Sequence, residues 1–270
     1  MDSVLNWFLQ FIQSDAFVLL IGSTVILGAF EFFFGVKREK IGHWFRNVGF
    51  GVLYAVLGAL LAPTISYLMT TAVQALGGGW IDLRAIGFGG IAGDLTAIAV
   101  STLIFDFFFY WLHRFEHMNQ FLWQQHVVHH SDRLMAASTG ALSSPAEVIL
   151  IPFFVGLPMA VLFKMPAVNV AVLSTLPLAW LFVQHANFNL SFGPLWWLLV
   201  SPNFHRIHHS VEKKHFDKNF ALWYPVWDII FKTAYRPSKN EIPETGVVGV
   251  EIESITEAFL YPLKAWFKKS

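Results

Sequence analysis

Histidine is the residue type whose number and spacing in this sequence point most directly to chemistry. The chain has 270 residues and 11 histidines, and all of these except His43 lie between His113 and His215. Side chains three or four positions apart project from one helix face, with Cβ atoms about 5–6 Å apart. Neutral imidazole is a good ligand for iron, zinc, copper and nickel. Three groups have this spacing: His113 with His117; His126 with His129 and His130; and His205 with His208 and His209.

These histidines outnumber the ligands that one metal ion needs. A tetrahedral ion takes about four ligands, whereas the three groups supply eight imidazoles, and His185 lies between the second group and the third. The pattern therefore predicts two metal ions, with His215 as a possible further ligand. Residues 113–117 also fit the H-x-x-E-H pattern of inverted zinc proteases, with Glu116 as general base. That interpretation leaves the other histidine groups without a role.

Polar residues near the histidines are candidates to orient the ligating rings. Asp106 lies seven residues before His113, two helical turns back on the same face, where it could accept an N–H from a ring. Without a partner, a lone carboxylate in this phenylalanine-rich run would be costly. Asn187 follows His185 by two positions and either orients that ring or caps a helix. The weaker candidates, which could equally be caps or surface charges, are Glu147, Asp217 and Asp228.

The composition of the chain predicts that a membrane positions these residues. Apolar residues make up 55% of the chain and charged residues 13%, about half the ~25% charge usual in soluble proteins. The 18 basic and 18 acidic residues balance, so no net charge attracts nucleic acid. The absence of cysteine excludes disulfides, thiolate metal sites and a cysteine nucleophile.

Long apolar stretches predict the helices that cross this membrane. Three stretches, at residues 16–36, 48–71 and 95–112, are long enough to cross a hydrocarbon layer of about 30 Å. Two more, at 148–163 and 167–183, are expected to form a helical hairpin that brings His185 back to the face of His113 to His130. The expected fold is all-α and integral to the membrane, with four to five transmembrane or hairpin helices.

The distribution of charge predicts the orientation of the chain. Lys37, Arg38, Lys40 and Arg46 follow the first stretch, and the positive-inside rule places them in the cytoplasm. Residues 2–15 have apolar side chains at helical spacing and are expected to form an interfacial helix. Residues 191–270 contain no stretch long enough to span and hold 10 of the 18 basic residues. They are expected to form a cytoplasmic helical cap that carries the dimetal site.

Five segments of the sequence resemble a known family of membrane enzymes. They are DFFFYWLHRFEH (106–117), LWQQHVVHHS (122–131), SPNFHRIHHS (201–210), DKNF (217–220) and WDIIFKT (227–233). The combination is similar to that of the fatty acid hydroxylase/sterol desaturase superfamily of integral-membrane, non-haem di-iron enzymes. On this basis we expect N-terminal membrane helices at 1–105, the hydroxylase-like domain at 106–233 and a cytoplasmic tail at 234–270.

The resemblance implies a ligand set, cofactors and partners. Two iron ions would be held by the eight grouped histidines and His185, and would activate O₂ to hydroxylate or desaturate a lipid. His215 departs from the family pattern. Zinc could occupy the same imidazoles after purification but, lacking redox chemistry, would not support turnover. Electrons would come from a reductase, ferredoxin or cytochrome, and the site would face the cytoplasm from the inner membrane. A histidine-rich metal transporter is the alternative from another class, but its ligands are expected at mid-depth in the spans.

Overall fold

The computed structural model describes residues 10–83, 90–164, 167–238 and 241–267. These residues form helices and connecting loops, and the only strand-like pairings among them are two isolated bridges, Ile81 with Phe163 and Ser210 with Thr245. The all-α prediction is therefore confirmed. Most of the interfacial helix predicted at residues 2–15 lies outside the described residues.

Three helices are long and apolar enough to cross a membrane: α1 (Asp15–Phe34), α2 (Ile41–Leu76) and α3 (Gly90–Met118). Their most apolar windows have mean hydropathies of 2.2, 2.0 and 1.8. Both α2 and α3 extend beyond the predicted apolar stretches. At about 1.5 Å per residue, α2 is ~54 Å long and must project out of a hydrocarbon layer of about 30 Å. The chain is thus an integral membrane protein whose longest helices reach past the apolar layer.

A sharp corner joins the first two histidine groups. Helix α3 carries His113 and His117 and ends at Met118, and α4 (Gln120–His130) begins two residues later. The Asn119 side-chain oxygen accepts hydrogen bonds from the amides of the first turn of α4, those of Phe121 at 2.9 Å and Leu122 at 3.2 Å. This N-cap starts a new helix direction at the corner, and α4 packs back against α3.

The predicted hairpin is present as two shorter helices. Helix α5 (Glu147–Leu162) contains a π-helical turn at Pro152–Gly156, where proline supplies no amide donor to the helix. Helix α6 (Ala167–His185) returns and packs against α1. Three long helices and this hairpin agree with the four to five expected elements, and the return of α6 brings His185 to the end that carries α4.

The C-terminal region packs as a cap over the ends of α2 and α4. It contains α7 (Pro202–His208), α8 (Val226–Ile230) and α9 (Ile255–Phe267). Arg46 in the second turn of α2 donates a 2.8 Å hydrogen bond to the carbonyl of Ile252. A buried apolar cluster joins α2, α4 and α9 through Phe50, Val128, Leu142, Ile252 and Ala258.

The loop between α1 and α2 lies on the same side of the membrane as the histidine groups. The amide of Val36 donates to the carbonyl of Asn187 at 2.9 Å. His43 Nε2 and Asp132 Oδ1, just beyond the second histidine group, are 2.8 Å apart. Together with the bond from Arg46 to Ile252, the contact of His43 explains why α2 begins at Ile41 rather than at residue 48: the polar side chains of its first turns have partners in the loop after α4 and in the cap. The basic loop, the histidines and the cap therefore share one face.

Candidate metal centre

Nine histidines from four parts of the chain collect below the cap in two adjacent groups. Within each group, one ligand atom from every residue lies within 4.8 Å of the others. The five-histidine group consists of His113, His117, His126, His130 and His208, and the four-histidine group of His129, His185, His205 and His209. These are the nine residues predicted as ligands, and each group draws on more than one sequence motif.

Helix geometry sorts the histidines of one motif between the two groups. On α4, His126 and His130 are four residues apart and both face the five-histidine group, whereas His129 faces the other. At α7, His205 and His209 belong to the four-histidine group, whereas His208 belongs to the five-histidine group. Residues separated by four positions lie on one helix face, so each of these two segments contributes to both groups.

Backbone carbonyls hold four of the rings by their Nδ1 atoms. An imidazole that donates from Nδ1 keeps the lone pair on Nε2, which is then available to a metal ion. The acceptors are Phe220 O for His113 at 2.7 Å, Leu142 O for His129 at 3.0 Å, Leu181 O for His185 at 2.6 Å and Lys218 O for His208 at 2.8 Å. The Nδ1 atoms of His205 and His209 are buried without such a partner.

The Nε2 atoms converge at distances that suit a shared ion. His185 Nε2 lies 3.1 Å from that of His129, 3.0 Å from that of His205 and 3.2 Å from that of His209. Two ligands at right angles around an ion with bonds of ~2.1 Å would be about 3 Å apart. In the five-histidine group, the buried Nε2 atoms of His113, His126 and His208 have no hydrogen-bond partner. These residues fit metal ions, which would satisfy nitrogens that the protein leaves unpaired.

Burial keeps these imidazoles neutral. Loss of solvent lowers the pKa of His126 to about 3 and that of His129 to about 4. It also holds the pKa of His205, His208 and His209 well below the usual value of 6.5, and neighbouring histidines add to the effect. Since only neutral imidazole binds a metal ion, the groups are ready to bind at neutral pH.

Asp106 acts on the backbone rather than on a ring, so the predicted contact with a ligating histidine was wrong. Its carboxylate accepts from the amides of Leu222 at 2.8 Å and Tyr224 at 2.7 Å, and also from the amide between them. Asp228 accepts from the amides of Phe220 and Ala221 at 2.9 and 3.0 Å. Two buried carboxylates thus hold residues 220–224, the segment whose first carbonyl orients His113.

Asn187 and Asp217 are placed differently from each other. Asn187 is buried. Its side-chain oxygen accepts a hydrogen bond from Arg206, and its side-chain nitrogen donates to the carbonyl of Lys37. Its backbone amide donates to Glu31 at 2.6 Å. It contacts neither nitrogen of the His185 ring, whose Nδ1 is already bound to the backbone. The Asp217 carboxylate is 72% exposed and lies 3.7 Å from His117 Nδ1. Asp217 is therefore close to a candidate ligand but largely in solvent.

His215, the possible tenth ligand, belongs to neither group. It is fully buried, with Nδ1 2.8 Å from the Ser210 hydroxyl and Nε2 3.2 Å from a Glu241 oxygen. Both ring nitrogens thus have partners within the cap. The His215 ring thus connects Ser210, the residue after His209, with Glu241 in the C-terminal region.

Two carboxylates lie beside His126. His126 Nδ1 lies 3.5 Å from an oxygen of Glu116 and 3.4 Å from one of Glu147. Glu147 is one of the weaker candidates that the sequence offered for orienting a ring, whereas the sequence offered Glu116 only as the base of a protease-like pattern. The signal available for Glu116 was its position inside the first histidine motif, between His113 and His117.

A cavity of about 1280 Å³ connects the histidines with the membrane helices. At one end it is lined by His113, His126, His129 and His205, together with both carboxylates. It extends between α2, α5 and α6 to Val73, close to the far end of α2. Apart from the metal end, its walls are mainly apolar or small residues, which suits an aliphatic chain.

The sequence of the chain is similar to that of several enzymes named for their action on lipids or long-chain aldehydes. The family model for fatty acid hydroxylase matches residues 98–233. Alkylglycerol monooxygenase of Danio rerio is 33% identical over 137 residues, 51% of this chain and 30% of that protein. Ornithine lipid hydroxylase OlsE of Rhizobium tropici is 24% identical over 242 residues, 87% of this chain and 67% of that protein. Very-long-chain aldehyde decarbonylase GL1-6 of Oryza sativa subsp. japonica is 30% identical over 156 residues, 53% of this chain and 24% of that protein. The chain thus spans less than a third of the alkylglycerol monooxygenase, and no solved structure matches it with significance.

Proposed function

The chain belongs to the fatty acid hydroxylase family, and from this premise we propose that it is a membrane-bound, O₂-dependent lipid hydroxylase with two iron ions. The observation that carries the proposal is the convergence of nine imidazoles, in two groups, at one end of a mainly apolar cavity. An unactivated C–H bond yields to no side-chain acid or base, so bound iron would supply the activation of O₂.

The nine grouped histidines are the proposed ligands, five for one ion and four for the other. His215 is left out because both of its nitrogens have other partners. Backbone carbonyls fix the Nδ1 atoms of His113 and His208, which keeps their Nε2 atoms directed inward. Zinc fits the same donors but has no redox chemistry, so we assign turnover to the iron-loaded protein.

Hydroxylation sets the requirements for partners. The reaction consumes one O₂, two electrons and two protons, places one oxygen atom in a C–H bond and releases the other as water. With no cysteine in the chain, the electrons are assigned to an external reductase, ferredoxin or cytochrome. The proposed catalytic domain is residues 106–233, between N-terminal membrane helices at 1–105 and a tail at 234–270.

The proposed orientation follows from the position of the basic loop. Lys37, Arg38 and Lys40 lie between α1 and α2, on the face that carries the histidines. The positive-inside rule favours a cytoplasmic position for such a loop. We therefore place the active site at the cytoplasmic face of the inner membrane, where soluble electron donors can reach it.

The proposed substrate is a membrane lipid with an aliphatic chain. Two relatives are named for lipids with a polar head, an alkylglycerol and an ornithine lipid, and the apolar cavity is large enough for a long chain. Desaturation at the same centre is the closest alternative chemistry. A metal transporter is disfavoured because the ligands collect at one face rather than along the spans.

Comparative lipidomics under ¹⁸O₂ tests the proposal. Cells with and without the protein are compared, together with cells that express His185→Ala. We expect a lipid that gains one labelled oxygen only in the presence of the intact protein. Loss of two hydrogens without label would replace hydroxylation by desaturation. An unchanged lipid profile with altered cellular metal content would instead establish transport.

A further inference from the structure

The cavity has an acidic wall at its metal end. Glu116 on α3 and Glu147 at the start of α5 both line the cavity. Their carboxylate oxygens and the Nδ1 atom of His126 lie within 4.8 Å of one another. Each carboxylate has one oxygen near that nitrogen, at 3.5 and 3.4 Å. The second oxygen of Glu116 is therefore available for another contact.

The second oxygen of Glu116 lacks any donor. Its Oε1 atom is buried without a hydrogen-bond partner, and the side chain is 4% exposed. Glu147 is better supplied, since the Ser143 hydroxyl and the Ser144 backbone contribute hydrogen bonds to it. Among the described residues, no lysine or arginine lies within 4.0 Å of either carboxylate. A buried acceptor without a donor is costly, and the cavity is the direction from which a donor can come.

We propose that Glu116 and Glu147 bind a hydrogen-bond-donating head group of the substrate lipid, a hydroxyl or an ammonium. The unpartnered oxygen of Glu116 needs a hydrogen-bond donor, which a hydroxyl or an ammonium supplies. An anionic group such as a carboxylate or a phosphate offers only acceptors and leaves that oxygen without a partner. This inference rests on the proposed function and adds the chemistry of the substrate head to it.

The same placement orients the lipid tail. The cavity runs beside α2 from Gly51 to Gln74, a rise of about 35 Å at 1.5 Å per residue, comparable with the ~30 Å hydrocarbon layer. Along this path α2 presents small side chains at Ala55, Gly58 and Ala59. With its head at the carboxylates, a lipid keeps its tail at membrane depth, and the oxidised carbon lies close to the head.

Binding of three matched lipids tests the head-group site without any turnover. The probes are 1-hexadecanol, hexadecylamine and hexadecanoate, each radiolabelled, and the metal-loaded protein is held in phosphatidylcholine nanodiscs. We expect the alcohol and the amine to bind at least about tenfold more tightly than the carboxylate. Equal affinity for the alcohol and the carboxylate in the wild-type protein would overturn the proposal, and this comparison requires no variant to fold.

The double variant Glu116→Gln with Glu147→Gln keeps the shape of both side chains and replaces one acceptor oxygen of each by an N–H donor. We expect the preference over hexadecanoate to fall from about tenfold to below about threefold, measured at saturating metal because the same change weakens the support behind His126. Glu251→Gln is the control, since its carboxylate is 64% exposed in the cap, and it should keep the full preference. Retained preference in the metal-saturated double variant would show that the carboxylates serve His126 alone.

A pair of glycine variants tests the direction of the tail. A Cβ atom added at Gly58 meets nothing within 4 Å, and the same holds at Gly22 on α1, which does not line the cavity. Gly58→Phe is expected to weaken the binding of hexadecanol roughly tenfold relative to the wild-type protein, as about two methylenes lose their place in the cavity. Gly22→Phe should leave the affinity for hexadecanol unchanged. An unchanged affinity in Gly58→Phe would contradict the assigned path of the tail.

The head-group site and the hydroxylase activity can be contradicted separately. A clear head-group preference without labelled lipid in the ¹⁸O₂ experiment would remove the hydroxylase assignment and leave the binding site standing. Labelled lipid together with equal binding of all three probes would keep the hydroxylase and remove the head-group site.

Discussion

The Nδ1 atom of His113 donates a 2.7 Å hydrogen bond to the backbone carbonyl of Phe220, 107 residues further along the chain. The contact connects the membrane helix α3 to the loop that follows the third histidine motif. That loop is itself held by Asp106, seven residues before His113, and by Asp228. The orientation of His113 thus depends on Asp106 of the same helix, which acts through the loop at residues 220–224.

Asp106→Asn is expected to weaken metal binding by about 10- to 100-fold, the usual effect of losing support behind a ligating histidine. The amide presents N–H groups to backbone amides that need an acceptor, so residues 220–224 lose their position. Metal titration of the purified protein measures the effect. Asp217→Asn is the matched comparison, because its carboxylate is 72% exposed, and we expect a change below about threefold. Equal effects of the two variants would show that the Asp106 network does not reach the metal site.

Adjacent histidines of the third motif are expected to act on different ions. His208 belongs to the five-histidine group and His209 to the four-histidine group. His209→Ala should therefore keep about one ion per chain, because a group of four has no spare ligand for a tetrahedral ion. His208→Ala should release the other ion more readily under chelator. Elemental analysis of iron-loaded protein measures both, and loss of both ions from either single variant would contradict two separate sites.

Removal of the metal is expected to lower the thermal stability of the whole cap. A ligand at about 1,000 times its dissociation constant stabilises the folded protein by ~4 kcal/mol, and the nine histidines join α3, α4, α6 and α7. Chelation should lower Tm by several degrees, and added iron should restore it. The measurement is thermal unfolding in detergent, with and without chelator. An unchanged Tm would mean that the cap is held by its own packing alone.

The sequence predicted which histidines come together, because imidazole spacing on a helix is a local property. The assignment of each histidine to an ion is not local. It depends on how α4 and α7 are rotated relative to each other, which splits His129 from His130 and His208 from His209. No spacing within one motif carries that information, so the sequence predicted two ions but not their separate ligand sets.

Long-range contacts also explain where Asp106 and Glu147 lie. From the sequence, Asp106 is expected to contact the ring of His113 two helical turns further on, but the loop at residues 222–224 arrives from remote sequence and takes its carboxylate. Glu147 precedes an apolar helix and so has the pattern of a cap, yet folding places it against His126. Helix α2 begins seven residues before the predicted apolar stretch for a similar reason, since His43 contacts Asp132 only in the folded protein.

The basic loop and the C-terminus are expected to lie on one side of the membrane, and that side is expected to be cytoplasmic. The Trp266 indole of α9 donates to the carbonyl of Phe121 at 2.9 Å, which fixes the C-terminal helix to α4. A phosphatase reporter, active only outside the cytoplasm, should therefore be inactive when fused after the C-terminus, and a fluorescent reporter should be bright. An active phosphatase fusion would reverse the orientation and move the electron donor to the opposite compartment.

His215→Ala is expected to leave the metal content unchanged and to lower stability by about 1–3 kcal/mol, the cost of leaving buried partners unsatisfied. The ring connects the Ser210 hydroxyl with Glu241, which also accepts from Tyr235 at 2.9 Å. Removing it therefore loosens the turn after His209 without taking away a nitrogen from either group. Thermal unfolding together with elemental analysis separates the two effects, and His205→Ala, which removes a candidate ligand, is the comparison. Loss of an ion from His215→Ala that matches the loss from His205→Ala would make His215 a ligand after all, because a residue that only braces the cap has no means of releasing one ion selectively.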